Sequence, residues 1–178
     1  TALLSEMHHR VKNNLQTVAG LLSLQARRVK NQEGAGALYE SVNRVQSIAS
    51  VHDLLSREEF GTASIADLAR QMIEVATVSP IRPEVQVRFE VIGGETRLGS
   101  KEATTFALVL NELVSNSISH GFEGRTRGSL ILKEESTADT VVFQVIDDGI
   151  GLPEGFELSE SKGLGLHIVQ TLAQTDLQ

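Results

Sequence analysis

Apolar positions in the first third of the chain recur with helical spacing. Leu4, Met7, Val11, Leu15, Val18, Leu22 and Val29 fall at intervals that predict a helix from residue 1 to about residue 31. The run Asn31-Gln32-Glu33-Gly34-Ala35-Gly36 predicts a turn. Leu38, Val42, Val45, Ile48, Val51 and Leu55 then predict a second helix ending near Phe60-Gly61. Two helices joined by a short turn form an antiparallel hairpin. Each carries an apolar stripe that a lone hairpin cannot fully bury. A dimeric four-helix bundle would bury it, and packing on the rest of the chain is the alternative.

From residue 62 the pattern changes. Ser64-Ile65-Ala66-Asp67 resembles a capping box and opens a helix to about Thr77. Pro80 and Pro83 break the chain. Val85, Val87, Phe89 and Val91 alternate with polar residues, as a strand does. Ser100 is placed to cap a long helix that runs to about His120 and stops at Gly121. Two β-rich runs follow, Ser129–Lys133 and Thr140–Ile146, and a glycine-rich loop leads to a last helix from about Gly163. The order lacks the strict alternation of a doubly wound fold. It predicts an α+β class, with helices layered on one face of a sheet. The expected division is a helical hairpin over residues 1–60 and an α/β sandwich over residues 61–178.

Composition narrows the function classes. The chain has 178 residues and a net charge of −7, which argues against nucleic acid as the main partner. Residues 1–58 hold seven basic and five acidic side chains, a net of +2, and residues 59–178 hold nine and eighteen, a net of −9. This asymmetry suits two domains that attract each other, and equally suits two independent solvated surfaces. Cysteine is absent, which excludes disulfides, thiolate metal sites and a cysteine nucleophile, and fits a cytoplasmic setting. No apolar run reaches the roughly 20 residues that span a bilayer, so no direct membrane insertion is expected. The opening TALLSEMHHR is no signal peptide. It starts in mid-pattern, which suggests a longer protein with an upstream sensor domain or a membrane tether.

Four constellations carry chemistry. The first is Glu6-Met7-His8-His9-Arg10-Val11-Lys12-Asn13-Asn14. Helix phase puts His8 in line with Leu4, Val11 and Leu15, and His9 with Ser5, Lys12, Asn13 and Gln16 on a polar face. A group that accepts a phosphoryl must be reachable, so His9 is the candidate nucleophile. Glu6, one turn earlier, is placed to orient the ring or take its proton, and Arg10 and Lys12 to offset incoming negative charge. A surface histidine in a polar helix is the plainer reading of this segment alone.

The second constellation is Asn111-Glu112-Leu113-Val114-Ser115-Asn116-Ser117-Ile118-Ser119-His120. Glu112, Asn116 and His120 are four residues apart and line one helical edge. That edge borders the apolar stripe of Phe106, Leu110, Leu113 and Ser117. Polar groups at the rim of a buried face suit a hydrated cation such as Mg²⁺, and a polar helix flank is the plainer reading. The third is Val145-Ile146-Asp147-Asp148-Gly149-Ile150-Gly151-Leu152-Pro153. Asp147 can accept a hydrogen bond from an exocyclic amine such as adenine's, and Gly149 and Gly151 let backbone approach a ligand. An acidic turn is the plainer reading. The fourth is Ser161-Lys162-Gly163-Leu164-Gly165-Leu166-His167, where a lysine and two glycines open a helix whose free N–H groups suit phosphate. It is no dinucleotide fingerprint, because the third glycine position holds Ile168 and no βαβ unit surrounds it.

Taken in order, the last three segments resemble the N, G1 and G2 boxes of the Bergerat-type ATP-binding fold, shared by histidine kinases, gyrase, heat-shock chaperone ATPases and mismatch-repair ATPases. The leading HHRVKNNLQ resembles the phosphoacceptor box of the histidine-kinase branch that is sister to the HWE kinases. The resemblance runs from about Leu4 to Leu172 and implies a sensor histidine kinase core that uses ATP and Mg²⁺. It implies His9 as phosphoacceptor, Asn116 as Mg²⁺ ligand and Asp147 as the adenine-binding acid. Gly149, Gly151, Gly163 and Gly165 would border the ATP lid, with Lys162 and His120 at the nucleotide. Glu112 sits where related ATPases keep a base for water, so its role in a kinase stays open. The implied partners are a response-regulator receiver domain and a second copy through the hairpin.

The chain departs from the family in lacking tryptophan, in a lid of only eleven residues from Leu152 to Lys162, and in stopping at Gln178 where the family usually adds strands. Two alternatives stay open: an ATP-hydrolysing conformational clamp that uses Glu112 as a base, and a nucleotide-sensing or dimerising module without catalysis.

Overall fold

The computed structural model describes residues 2–57, 61–77, 84–157 and 164–175. Helix α1 (Ala2–Ala26) and helix α2 (Gln32–Arg57) form the expected antiparallel hairpin. The reversal comes earlier than the glycines predict. Arg27 and Arg28 already donate back to Ser23 and Gln25, and Gly34 and Gly36 lie inside α2. A glycine in a helix costs only about 1 kcal/mol, less than the packing between two long helices returns.

Ala63–Ser64 (β1) leads into helix α3 (Ile65–Thr77). The Ser64 hydroxyl oxygen accepts from the Asp67 amide at 3.1 Å, half of the predicted capping box. In the other half the Asp67 carboxylate takes the Ser64 hydroxyl proton at 2.6 Å instead of reaching backbone. Strand β2 (Gln86–Ile92) turns Val87, Phe89 and Val91 inward, as their alternation predicts. Two residues, Arg97–Leu98 (β3), pair antiparallel with β1.

Helix α4 spans Ser100–Asn116, capped by Gly99 and not by Ser100. The Gly99 carbonyl accepts from Ala103, and Ser100 is already helical. The helix does not reach His120 unbroken. Ser117–Gly121 widens into a π-type turn, a device common at functional sites. Strands β4 (Arg127–Ser136) and β5 (Val141–Asp147) complete a sheet in the order β2-β4-β5, the first pair parallel and the second antiparallel. Helix α5 (Leu164–Thr175) packs on α4.

One core joins these layers. Ile65, Leu68 and Met72 of α3 and Phe106, Leu110 and Val114 of α4 cover the sheet face formed by Phe89, Leu130, Leu132 and Phe143. The Phe106 and Phe143 rings lie 5.0 Å apart and tilted, a favourable aromatic arrangement. Val51 and Leu55 of α2 enter the same core, so the hairpin is anchored directly on the sandwich. The α+β class and the one-sided helical layer are as the pattern predicts.

Candidate functional site

The two histidines of α1 part as helix phase predicts. His8 is buried and His9 exposed. His8 Nδ1 lies 2.7 Å from His52 Nδ1 of α2, which calls for one proton shared between the two nitrogens. Burial first, and then the neighbouring histidine, lowers the pKa of both His8 and His52. One turn on, Lys12 pairs with Asp53. These contacts fix the rotation of α1 on α2 and leave His9 facing solvent. Glu6 does not turn toward His9. It accepts from Arg10 at 2.7 Å, both side chains more than half exposed, so the pair is weak and exchangeable.

A second cluster forms where α4, its π-type turn and the end of β5 converge. Asp147 accepts twice, from the Ser117 hydroxyl at 2.9 Å and from the Gly149 amide at 2.9 Å. Its carboxylate retains lone pairs for a further donor. Asp148 points elsewhere. The Ser129 amide and Arg125 hold it, and both lower its pKa. The adjacent acids therefore divide, Asp147 toward Ser117 at the end of α4 and Asp148 bracing the sheet.

Gly149 meets the Gly121 carbonyl so closely that a Cβ would stand 2.5 Å from it, and Gly151 has φ +78°. Both positions demand glycine, the first for room and the second for backbone conformation. The half-buried Asn116 side chain makes no hydrogen bond among the described residues. His120 is exposed, and the widened turn takes it off the strict 112–116 edge that an unbroken helix predicts. Lys162 and Gly163 lie outside the described residues. No cluster of three or more His, Asp or Glu side chains suited to a metal occurs among the described residues.

Glu112 is occupied in a way the spacing of α4 does not suggest. It is only 4% exposed. Arg44 of α2 donates to both of its oxygens, Nε to Oε1 at 2.7 Å and Nη2 to Oε2 at 2.8 Å. Asn111 adds a donor to Oε1 at 3.2 Å, and Ser47 of α2 donates to the Asn111 carbonyl at 3.0 Å. The pair with Glu112 is the foremost cause of a raised Arg44 pKa. Helix α5 closes over this pair: a Cβ on Gly165 would lie 2.5 Å from Glu112 Oε2. Arg44 and Ser47 are partners of this segment that motif reading misses. The one available signal is the opposite charge of the two halves, and it does not single out a residue.

His9 is not brought to this cluster. Arg44 precedes His52 by eight residues on α2, about 12 Å along the helix axis. The His8–His52 pair and the Arg44–Glu112 pair thus sit at separate levels of the hairpin.

A helical hairpin bearing an exposed histidine, docked on an α/β layer with an asparagine-bearing helix and a glycine-bordered acid, is the arrangement of histidine kinase domains, and the chain carries the two families that make one up. Residues 6–78 match the HisKA_2 family, described as histidine kinase, and residues 101–178 match the family of histidine kinase-, DNA gyrase B- and HSP90-like ATPases. Sensor histidine kinase PdtaS of Mycobacterium tuberculosis is 46% identical over 181 residues, which take in 99% of this chain and 35% of that protein. Blue-light-activated histidine kinase 2 of Erythrobacter litoralis is 24% identical over 177 residues, or 50% of its length. The chain thus spans about a third to a half of these relatives. The solved histidine kinase domain of the blue-light-activated kinase of Erythrobacter litoralis superposes with a TM-score of 0.61 at 22% identity, covering 96% of this chain and 80% of that one, and shares its fold.

Proposed function

We propose that this chain binds Mg²⁺-ATP between α4 and the loop after β5 and phosphorylates its own His9. The phosphoryl group then passes to an aspartate of a response-regulator receiver domain. The observation that carries the reading is an exposed imidazole beside a buried, paired one, on the same chain as a segment that matches the histidine kinase-, DNA gyrase B- and HSP90-like ATPases. His9 meets the first requirement of a nucleophile, access. Its neutral nitrogen attacks the γ-phosphorus as the bond to the ADP oxygen breaks, and positioning with charge stabilisation supplies most of the rate. Asp147 would read the adenine amine through its spare lone pairs. Glycines 149, 151, 163 and 165 would border the lid, with Lys162 and His120 near the phosphates. Asn116 would help hold Mg²⁺, which screens the nucleotide from Glu112 and Asp147.

We divide the chain into a phosphoacceptor and dimerisation hairpin over residues 1–60 and an ATP-binding unit over 61–178. An ATP-consuming reaction of this kind belongs in the cytoplasm. The name of the Mycobacterium relative supports a signalling role. The clamp alternative relies on Glu112 as a free base, and the Arg44 pair weighs against it.

Replacing His9 by Gln or Ala should abolish acid-labile, alkali-stable labelling of the protein from γ-labelled ATP. Undiminished labelling in that variant would overturn the assignment.

A further inference from the structure

By the resemblance noted above, Glu112 sits one turn before Asn116, where related ATPases would keep a base for water, yet a kinase must spare its ATP from water. We propose that Arg44 sets acceptor choice: by holding Glu112 it makes His9, and not water, the recipient of the γ-phosphoryl group. The proposal rests on the kinase reading above and concerns what happens when the hairpin is docked.

Water and imidazole differ in what they need. A neutral imidazole attacks through an existing lone pair. Water attacks well only as a proton leaves it, so a positioned base contributes a large factor. In hydrolysis the water oxygen bonds to the γ-phosphorus, its proton goes to Glu112, and the bridging bond to ADP breaks to give ADP and phosphate. Glu112 lies one helical turn before Asn116, the position from which the resemblance would have it serve water, and its pairing with Arg44 withholds it. Both oxygens already accept guanidinium N–H bonds, and Asn111 supplies a third donor to Oε1. A bidentate fork of this kind is the strong form of such pairs.

The fork is itself braced. Ser47, one turn after Arg44 on α2, is fully buried and shares its hydroxyl proton between the Asn43 carbonyl at 2.8 Å and Oδ1 of Asn111, the residue before Glu112, at 3.0 Å. Gly165 lets α5 come within contact distance of Glu112 Oε2. The carboxylate therefore has no open side that a water could share with it in the docked state. Arg44 belongs to the phosphoacceptor hairpin, so hydrolysis is suppressed whenever the hairpin is in place. We class it as a positioning residue, since it acts through Glu112.

The test uses chains lacking the phosphoacceptor, so that phosphate cannot arise from a phosphohistidine. Phosphate release from Mg²⁺-ATP is compared in H9Q, H9Q/R44Q and H9Q/R44Q/E112Q, with ATP binding of each measured by calorimetry. Release should rise about a hundredfold in H9Q/R44Q, the lower end of what a positioned base contributes. It should fall back to the H9Q level when Glu112 becomes Gln. Where R44Q does not fold, R44K takes its place, because lysine keeps the charge and gives up the fork; the same direction is expected. No rise in a variant that still binds ATP overturns the proposal, as does a rise that survives E112Q. Labelling at His9 in the parent chain tests the kinase reading, so the two fail separately.

Discussion

His8 and His52 share one hydrogen bond that exists only while the pair holds a single bridging proton. Their pKa values are lowered by burial and by each other. The unfolded chain thus takes up protons below about pH 6.5 while the folded pair resists them. The stability this pair contributes is present above that pH and is lost as pH falls through the lowered values. Burial alone would raise the neighbouring Asp53, but Lys12 and Arg57 outweigh it and hold its pKa below the ordinary range, so its loss belongs to a more acidic window. Melting temperature should fall between pH 7.5 and 5.5, and the H52N variant should show a shallower fall; identical slopes would count against the pair as the source. At this scale the sequence was informative where phase decides, as for His8 against His9. It was silent on Arg44 and Glu112, which are 68 residues apart, because an ion pair of that separation leaves no local signature.

Elements were legible where periodicity is strong. The alternation of β2 and the capping serine of α3 could be read directly, because strand pleat and helix start are local properties. Three boundaries moved for tertiary reasons. The hairpin turns early, α4 starts on Gly99, and its end opens at Ser117 so that a hydroxyl reaches Asp147. Glycine at 128 marks another place where packing overrides local preference. A Cβ there would stand 2.3 Å from the buried Phe122 ring. Overpacking of that order costs about 1–3 kcal/mol, so G128A should melt several degrees lower and F122L/G128A should recover part of the loss. Equal melting temperatures for G128A and the parent would show that β4 yields more easily than its geometry indicates.

The whole molecule joins a hairpin and a sandwich through one core and one braced ion pair, and its hairpin still shows an uncovered side. Leu3, Met7, Val18, Leu21 and Leu24 of α1 are 45–76% exposed and share one face. Such a stripe is what a second copy would cover. L21E/L24E should halve the mass measured by light scattering if the parent is a dimer, with its circular dichroism unchanged; an unaltered mass would place the dimer contact elsewhere. Among the described residues no helix is long and apolar enough to cross a membrane. The pairing of β2 with β4 carries a last consequence. Gln86 meets Arg127 in parallel register, so the chain must complete α4 as a crossover before that ladder can close. Contacts of such separation are slow to form. The segment that carries Glu112 and Asn116 is therefore also the span that decides how fast the sheet is built. Substitutions there should register in refolding kinetics, whatever they do to nucleotide use.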